Sequence, residues 1–104
     1  MERKNKILSE IKKAVLSVDS SAEVILFGSM ARGDYKDDSD WDILILTNNK
    51  ADRNYSRSLM KKLLLIELDK NIGISTIVRN KKDWQKIYSI TPFYNEIQKD
   101  GVVL

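Results

Sequence analysis

Apolar residues recur at helical spacing at Ile7, Ile11, Val15 and Val18, which predicts an amphipathic helix over about residues 2–18. The polar run Asp19-Ser20-Ser21 ends it as a turn. Two short apolar runs follow, Val24-Ile25-Leu26-Phe27 and Ile43-Leu44-Ile45-Leu46, each too short for a helix and suited to a buried strand. They predict strands over 23–27 and 41–46, with a glycine-serine turn and a short helix to Ala31 after the first. Thr47-Asn48-Asn49-Lys50 reads as a loop. A longer helix spans roughly 51–70, with Tyr55, Leu59, Leu63 and Ile66 on one face and Asn71 as its stop. A third strand is predicted at 72–78 and a short helix near 81–88. Pro92, the only proline, opens a last helix that runs to about Lys99, ahead of Gly101.

Strands separated by helices of this length predict an α/β (α+β) sandwich, a small mixed sheet with helices packed against one face. The second strand is apolar on both faces beyond its acids, so it should be central. At 104 residues the chain reads as one domain, residues 1–104, without a further helical domain to grip an acceptor. With 42% hydrophobic and 32% charged residues the composition is that of a globular protein rather than a disordered one. No apolar stretch approaches the ~20 residues needed to span a bilayer, and the amphipathic start is unlike a secretory signal. A cytoplasmic protein with no membrane partner is expected.

The absence of cysteine and histidine narrows the chemistry further. Disulfides, thiolate sites, histidine triads and histidine-held zinc are excluded, which leaves carboxylates, hydroxyls, lysines or a hard metal. A net charge of +3 and a pI near 9.1 are mild. The pairs Lys12-Lys13, Lys61-Lys62 and Lys81-Lys82 fall on three predicted helices and read as solvated faces, so nucleic acid is not the expected partner.

The chemistry concentrates between the first two strands. Gly28-Ser29 lets the backbone approach a ligand, and a helical turn after it aims free N–H groups and the Ser29 hydroxyl at an anion. Asp40 and Asp42 lie two residues apart at the start of the second strand, so their side chains point the same way. Two acids on one face repel unless a cation lies between them, and Mg2+ takes oxygen ligands while leaving positions for phosphates. Trp41 must then face away from the acids; packing beneath the site and stacking on a base are its alternatives. Asp34, Asp37 and Asp38 read as surface turn residues. Trp84, Tyr88, Phe93 and Tyr94 read as a patch that closes the fold, with a partner interface as the alternative.

Taken together, Gly28-Ser29, Ala31-Arg32-Gly33, then Ser39-Asp40 and Asp42, with ten residues between Ser29 and Asp40, resemble the motifs of the nucleotidyltransferase superfamily that includes DNA polymerase beta. Within it the closest likeness is to the minimal nucleotidyltransferases, often encoded beside HEPN-domain proteins. The resemblance implies the polymerase-beta-like fold and Mg2+-dependent transfer of a nucleoside monophosphate, AMP above all, from a triphosphate to an acceptor hydroxyl. It makes Asp40 and Asp42 the catalytic and metal-binding pair, with Gly28, Ser29, Arg32 and Ser39 toward the nucleotide. Arg32 either adds a charge-assisted phosphate contact or is simply solvated. The implied partners are ATP and a HEPN-domain protein in a toxin–antitoxin pair, and self-association stays open.

One element of the family pattern is missing. Most active members carry a third carboxylate on a later strand, and the corresponding run here, Ile72-Gly73-Ile74-Ser75-Thr76-Ile77-Val78, contains no acid. Ser75 or Thr76 stands in its place, and a hydroxyl is a poorer metal ligand and no general base at neutral pH. Asp69 and Asp83 belong to the flanking helices and should not reach the site. A catalytically weak or silent nucleotide- or partner-binding module is therefore the alternative reading.

Overall fold

A computed structural model describes residues 2–104. The chain runs α1 (Glu2–Val18), β1 (Glu23–Phe27), α2 (Gly28–Arg32), β2 (Trp41–Thr47), α3 (Arg53–Lys70), β3 (Ile74–Asn80), α4 (Lys81–Lys86), a 3-10 turn (Tyr88–Ile90), α5 (Pro92–Asp100) and β4 (Val102–Val103). The four strands form one mixed sheet in the order β3-β2-β1-β4. β1 runs antiparallel to both β2 and β4, whereas β2 and β3 are parallel and joined by the crossover helix α3. β2 is an interior strand, as its apolar run predicts.

The sequence places the long elements well because their signals are local. Asp52 caps α3 by accepting the Tyr55 amide, and Asn71 ends it in the left-handed conformation at φ 55°. Thr91 caps α5 through the Tyr94 amide, with Pro92 at the first turn. β3 begins and ends two residues later than predicted, and α4 stops at Lys86 before the 3-10 turn. β4 carries no predictive pattern: two exposed valines become a strand only because β1 offers an edge.

Helices cover both faces of the sheet, which corrects the expectation of one covered face. On one face Ile7, Ile11 and Val15 of α1 and Leu59 and Leu63 of α3 pack on Val24, Leu26, Trp41, Ile43 and Ile45. On the other, Trp84 of α4 and Ile97 of α5 close over Ile25, Phe27, Leu44 and Leu46, with Tyr88, Phe93 and Tyr94 around them. Trp84 meets Phe93 edge-on at 5.6 Å and Tyr94 at 5.1 Å, so the aromatic cluster is the second core layer. Alternation along β2 makes this unavoidable, since both its odd and its even residues are apolar and each set needs cover. Among the described residues no helix is long and apolar enough to cross a membrane.

Asp19 does more than end α1. It is 6% exposed and accepts hydrogen bonds from the Thr47 hydroxyl (2.5 Å), the Tyr55 hydroxyl (2.6 Å), and the Ser21 hydroxyl (2.7 Å) and amide (2.9 Å). One carboxylate thereby ties the end of α1, the end of β2 and the start of α3. Burial alone would raise its pKa, but these donors outweigh it and hold the carboxyl far below the ordinary carboxylate range. Burial, then the bond to Asp19, pushes the Tyr55 phenol up to about 12.

Candidate active site

The two acids gather where β1 ends and β2 and β3 begin. Antiparallel pairing sets Phe27 opposite Asp42, and parallel pairing sets Ser75 on Asp42's other side. Asp42 shares its face of β2 with Leu44 and Leu46, toward α4 and α5, while Trp41 is buried on the opposite face under α1 and α3. Trp41 is thus packing beneath the site.

Each carboxylate leans on a glycine. A Cβ on Gly28 would run into Asp42 Oδ2, and Gly28 also holds φ +70°, where a side chain is strained. A Cβ on Gly73 would lie 2.5 Å from Asp40 Oδ1. Gly28 is therefore required by the close approach of a carboxylate as well as by the turn. Gly73 has the same role for the second acid, and it was legible only as part of an apolar run.

Negative charge gathers around Asp42. Asp42 makes no side-chain hydrogen bond or ion pair among the described residues. Its carboxyl is pushed above the ordinary value, first by burial and then by the negative charges of Asp40 and Glu96, with Arg32 offsetting only part. Asp40 is exposed, and its one side-chain partner among the described residues is the Ser75 hydroxyl, donating at 3.3 Å. Ser75, and not Thr76, occupies the third position of this face; Thr76 faces α3 and donates to Met60 Sδ at 3.4 Å. Among the described residues no three acids converge tightly enough to hold a metal. The pair nevertheless fits a hard cation such as Mg2+, whose remaining positions go to phosphate and water oxygens.

Ser29 lies in the first turn of α2, partly exposed, with amides that have no acceptor inside the helix. Gly33 ends that helix at φ +87°. Arg32 is exposed and bridges Asp34 (3.2 Å) and Glu96 (3.7 Å), so a phosphate would have to displace carboxylates from it. Ser39 accepts the Lys36 amide at 2.8 Å and shapes the loop that delivers Asp40. Asp34, Asp37 and Asp38 are exposed loop residues; Asp69 pairs with Lys70, and Asp83 lies in the first turn of α4. Glu96 is the residue that sequence reasoning missed. It approaches Asp42 from α5, more than fifty residues away along the chain, and nothing local to it marks a site.

A mixed sheet with a glycine turn at the end of one strand and two carboxylates at the start of its neighbour defines a protein of the nucleotidyltransferase class. The architecture is the polymerase-beta-like one, and the chain belongs to the family described as nucleotidyltransferase domain, whose profile matches residues 8–102. Two relatives from Methanocaldococcus jannaschii carry the provisional name protein adenylyltransferase. MJ0141 is 35% identical over 98 residues, covering 92% of this chain and 93% of its own, and MJ0604 is 38% identical over 82 residues, covering 79% and 76%. Among solved structures, one described as a toxin–antitoxin with AMP-PNP superposes with a TM-score of 0.67 at 18% identity, covering 91% of this chain and 69% of its own. It shares the fold. A nucleotidyltransferase structure from Sulfolobus solfataricus, itself provisionally named, gives a TM-score of 0.54 at 27% identity, covering 98% and 82%.

Proposed function

We propose that this chain transfers AMP from ATP to a hydroxyl group of a partner protein, with Mg2+ held by Asp40 and Asp42. The observation that carries this reading is the pair itself: two carboxylates at one strand start, each seated on a glycine, with Arg32 offsetting only part of what raises the Asp42 carboxyl. The protein adenylyltransferase names of the two relatives support AMP as the group and protein as the acceptor. The acceptor in this reading is a HEPN-domain toxin in the cytoplasm, as the motif resemblance implies, and the neighbour described as a toxin–antitoxin with AMP-PNP accords with a toxin partner.

In this reading the Ser29 hydroxyl and the first amides of α2 take the triphosphate tail, and Arg32 exchanges a carboxylate for a phosphate oxygen. Gly28 lets that backbone lie close against the acids. Asp40 and Asp42 would hold a divalent cation, which would supply polarisation of the α-phosphate and charge compensation for the pyrophosphate leaving group. The acceptor oxygen bonds to the α-phosphorus as the bond to the β-phosphate oxygen breaks. The acceptor's proton leaves to water or to a carboxylate of the pair, because Ser75 cannot take it at neutral pH.

The test incubates the protein with Mg2+, α-labelled ATP and the candidate acceptor, beside the Asp40→Ala/Asp42→Ala variant. Label on the acceptor that disappears with the double variant is the expected result. Absence of label with intact ATP binding favours the second reading, a silent binding module, for which Ser75 beside the acids is the specific observation. Ser75→Asp separates the two: if the missing acid limits proton removal, this variant should transfer at least about tenfold faster. An unchanged rate would remove that explanation.

A further inference from the structure

We propose that Ser75 is an internal acceptor: with no partner in place, the chain transfers one AMP from ATP onto its own Ser75 hydroxyl. The inference rests on the nucleotidyl transfer proposed above. β3 lacks an acid beside the pair, and what it presents instead is a hydroxyl, the group that the reaction consumes. Parallel pairing sets Ser75 directly beside Asp42, so both side chains stand on one sheet face, with Leu44, Leu46 and Ile77 further along it. Ser75 is exposed, and its hydroxyl donates to Asp40 Oδ2 at 3.3 Å. Among the described residues no other side chain hydrogen-bonds to either acid of the pair. A hydroxyl bonded to a carboxylate is the nucleophile-and-base arrangement of an activated serine.

Strand order supplies the direction of attack. β1, whose end carries Gly28-Ser29, lies on one side of β2, and β3 lies on the other, each about 4.8 Å away. A triphosphate tail against Ser29 and the first amides of α2 puts the α-phosphorus over Asp42 and the leaving pyrophosphate toward β1. The open side then faces β3. Displacement at phosphorus needs entering and leaving oxygens roughly in line, and Ser75 Oγ stands on that line. The bond from Oγ to the α-phosphorus forms as the bond to the β-phosphate oxygen breaks, and pyrophosphate leaves with the electron pair. The Ser75 proton passes to Asp40 Oδ2, the oxygen it already faces, and on to water. The resulting phosphodiester fills the acceptor's position, so each chain reacts once. Other hydroxyls nearby lack this placement: Thr76 turns to Met60 on α3, Ser39 accepts the Lys36 amide, and Ser29 lies on the leaving-group side.

The experiment incubates the full chain with MgCl2 and α-labelled ATP, with no acceptor present. Intact mass should rise by one adenylyl group per chain, and γ-labelled ATP should leave no label. Trypsin releases residues 71–79, whose only hydroxyls are Ser75 and Thr76, and the label should lie in that peptide. Ser75→Ala should lower self-labelling by at least about a hundredfold, whereas Ser75→Thr, which keeps a hydroxyl, should retain it. Wild type mixed with the Asp40→Ala/Asp42→Ala variant should label only the wild-type chain, at a rate independent of concentration, because attack occurs within one site. Label that persists in Ser75→Ala, or that appears on the double variant, overturns the proposal. Label on a partner protein with none on Ser75 also overturns it and leaves the transfer reaction standing. Label on neither overturns both.

Discussion

Asp42→Asn is expected to lower AMP transfer by about a thousandfold, which corresponds to about 4 kcal/mol of lost transition-state stabilisation. Asparagine keeps the shape that rests on Gly28 and removes only the charge, so the loss isolates electrostatics from packing. The same change should raise the melting temperature in metal-free buffer at pH 7. Asp42's carboxyl has a raised pKa in the fold, so the folded chain holds that proton more tightly than the unfolded one and ionisation near neutrality counts against folding. That disadvantage fades as pH falls through the raised value, and the two proteins should converge below the ordinary carboxylate value of 3.8. Thermal melts from pH 3 to 8, with and without MgCl2 and ATP, read both effects; ligand should stabilise the wild type and leave the variant nearly unmoved. A variant that transfers AMP at the wild-type rate would remove Asp42 from the centre of the chemistry.

Asp19→Ala is expected to cost about 3 kcal/mol of folding stability, or roughly 15 °C in melting temperature for a domain of this size. The large figure follows from what is stranded: the Thr47 hydroxyl, fully buried, and the Tyr55 hydroxyl both lose their acceptor. Asp19→Asn, which retains one carbonyl oxygen, should cost less. The pH dependence has the opposite sign to that of Asp42. Asp19's pKa is depressed in the fold, so its contribution is complete above the unfolded carboxyl value and is lost as pH falls toward the native one. Acid melts below pH 4 should therefore fall more steeply for the wild type than for Asp19→Ala. Equal slopes would show that this carboxylate is not held by its donors as described.

The contrast between these two acids marks how far the sequence can be read. Asp40 and Asp42 were legible because strand alternation and the glycine-serine turn are local, and because a repulsive pair on one face needs an explanation wherever it occurs. Asp19 looked like an ordinary turn residue after a helix. Only the meeting of α1, β2 and α3 makes it a buried acceptor of four hydrogen bonds. Likewise the run 72–78 left Ser75 and Thr76 as alternatives until the parallel register with β2 put Ser75 beside Asp42.

By itself, then, the sequence determined the succession of helices and strands, the glycine-serine turn and the carboxylate pair, since each rests on the spacing of neighbouring residues and on caps such as Asp52, Asn71 and Thr91. Tertiary structure alone decided that helices cover both sheet faces, that two valines add a fourth strand, that Glu96 and Arg32 enter the field around Asp42, and that Gly73 makes room for Asp40. Those outcomes depend on which distant segments share a register or a face. Periodicity along one element carries no information about what will lie across from it.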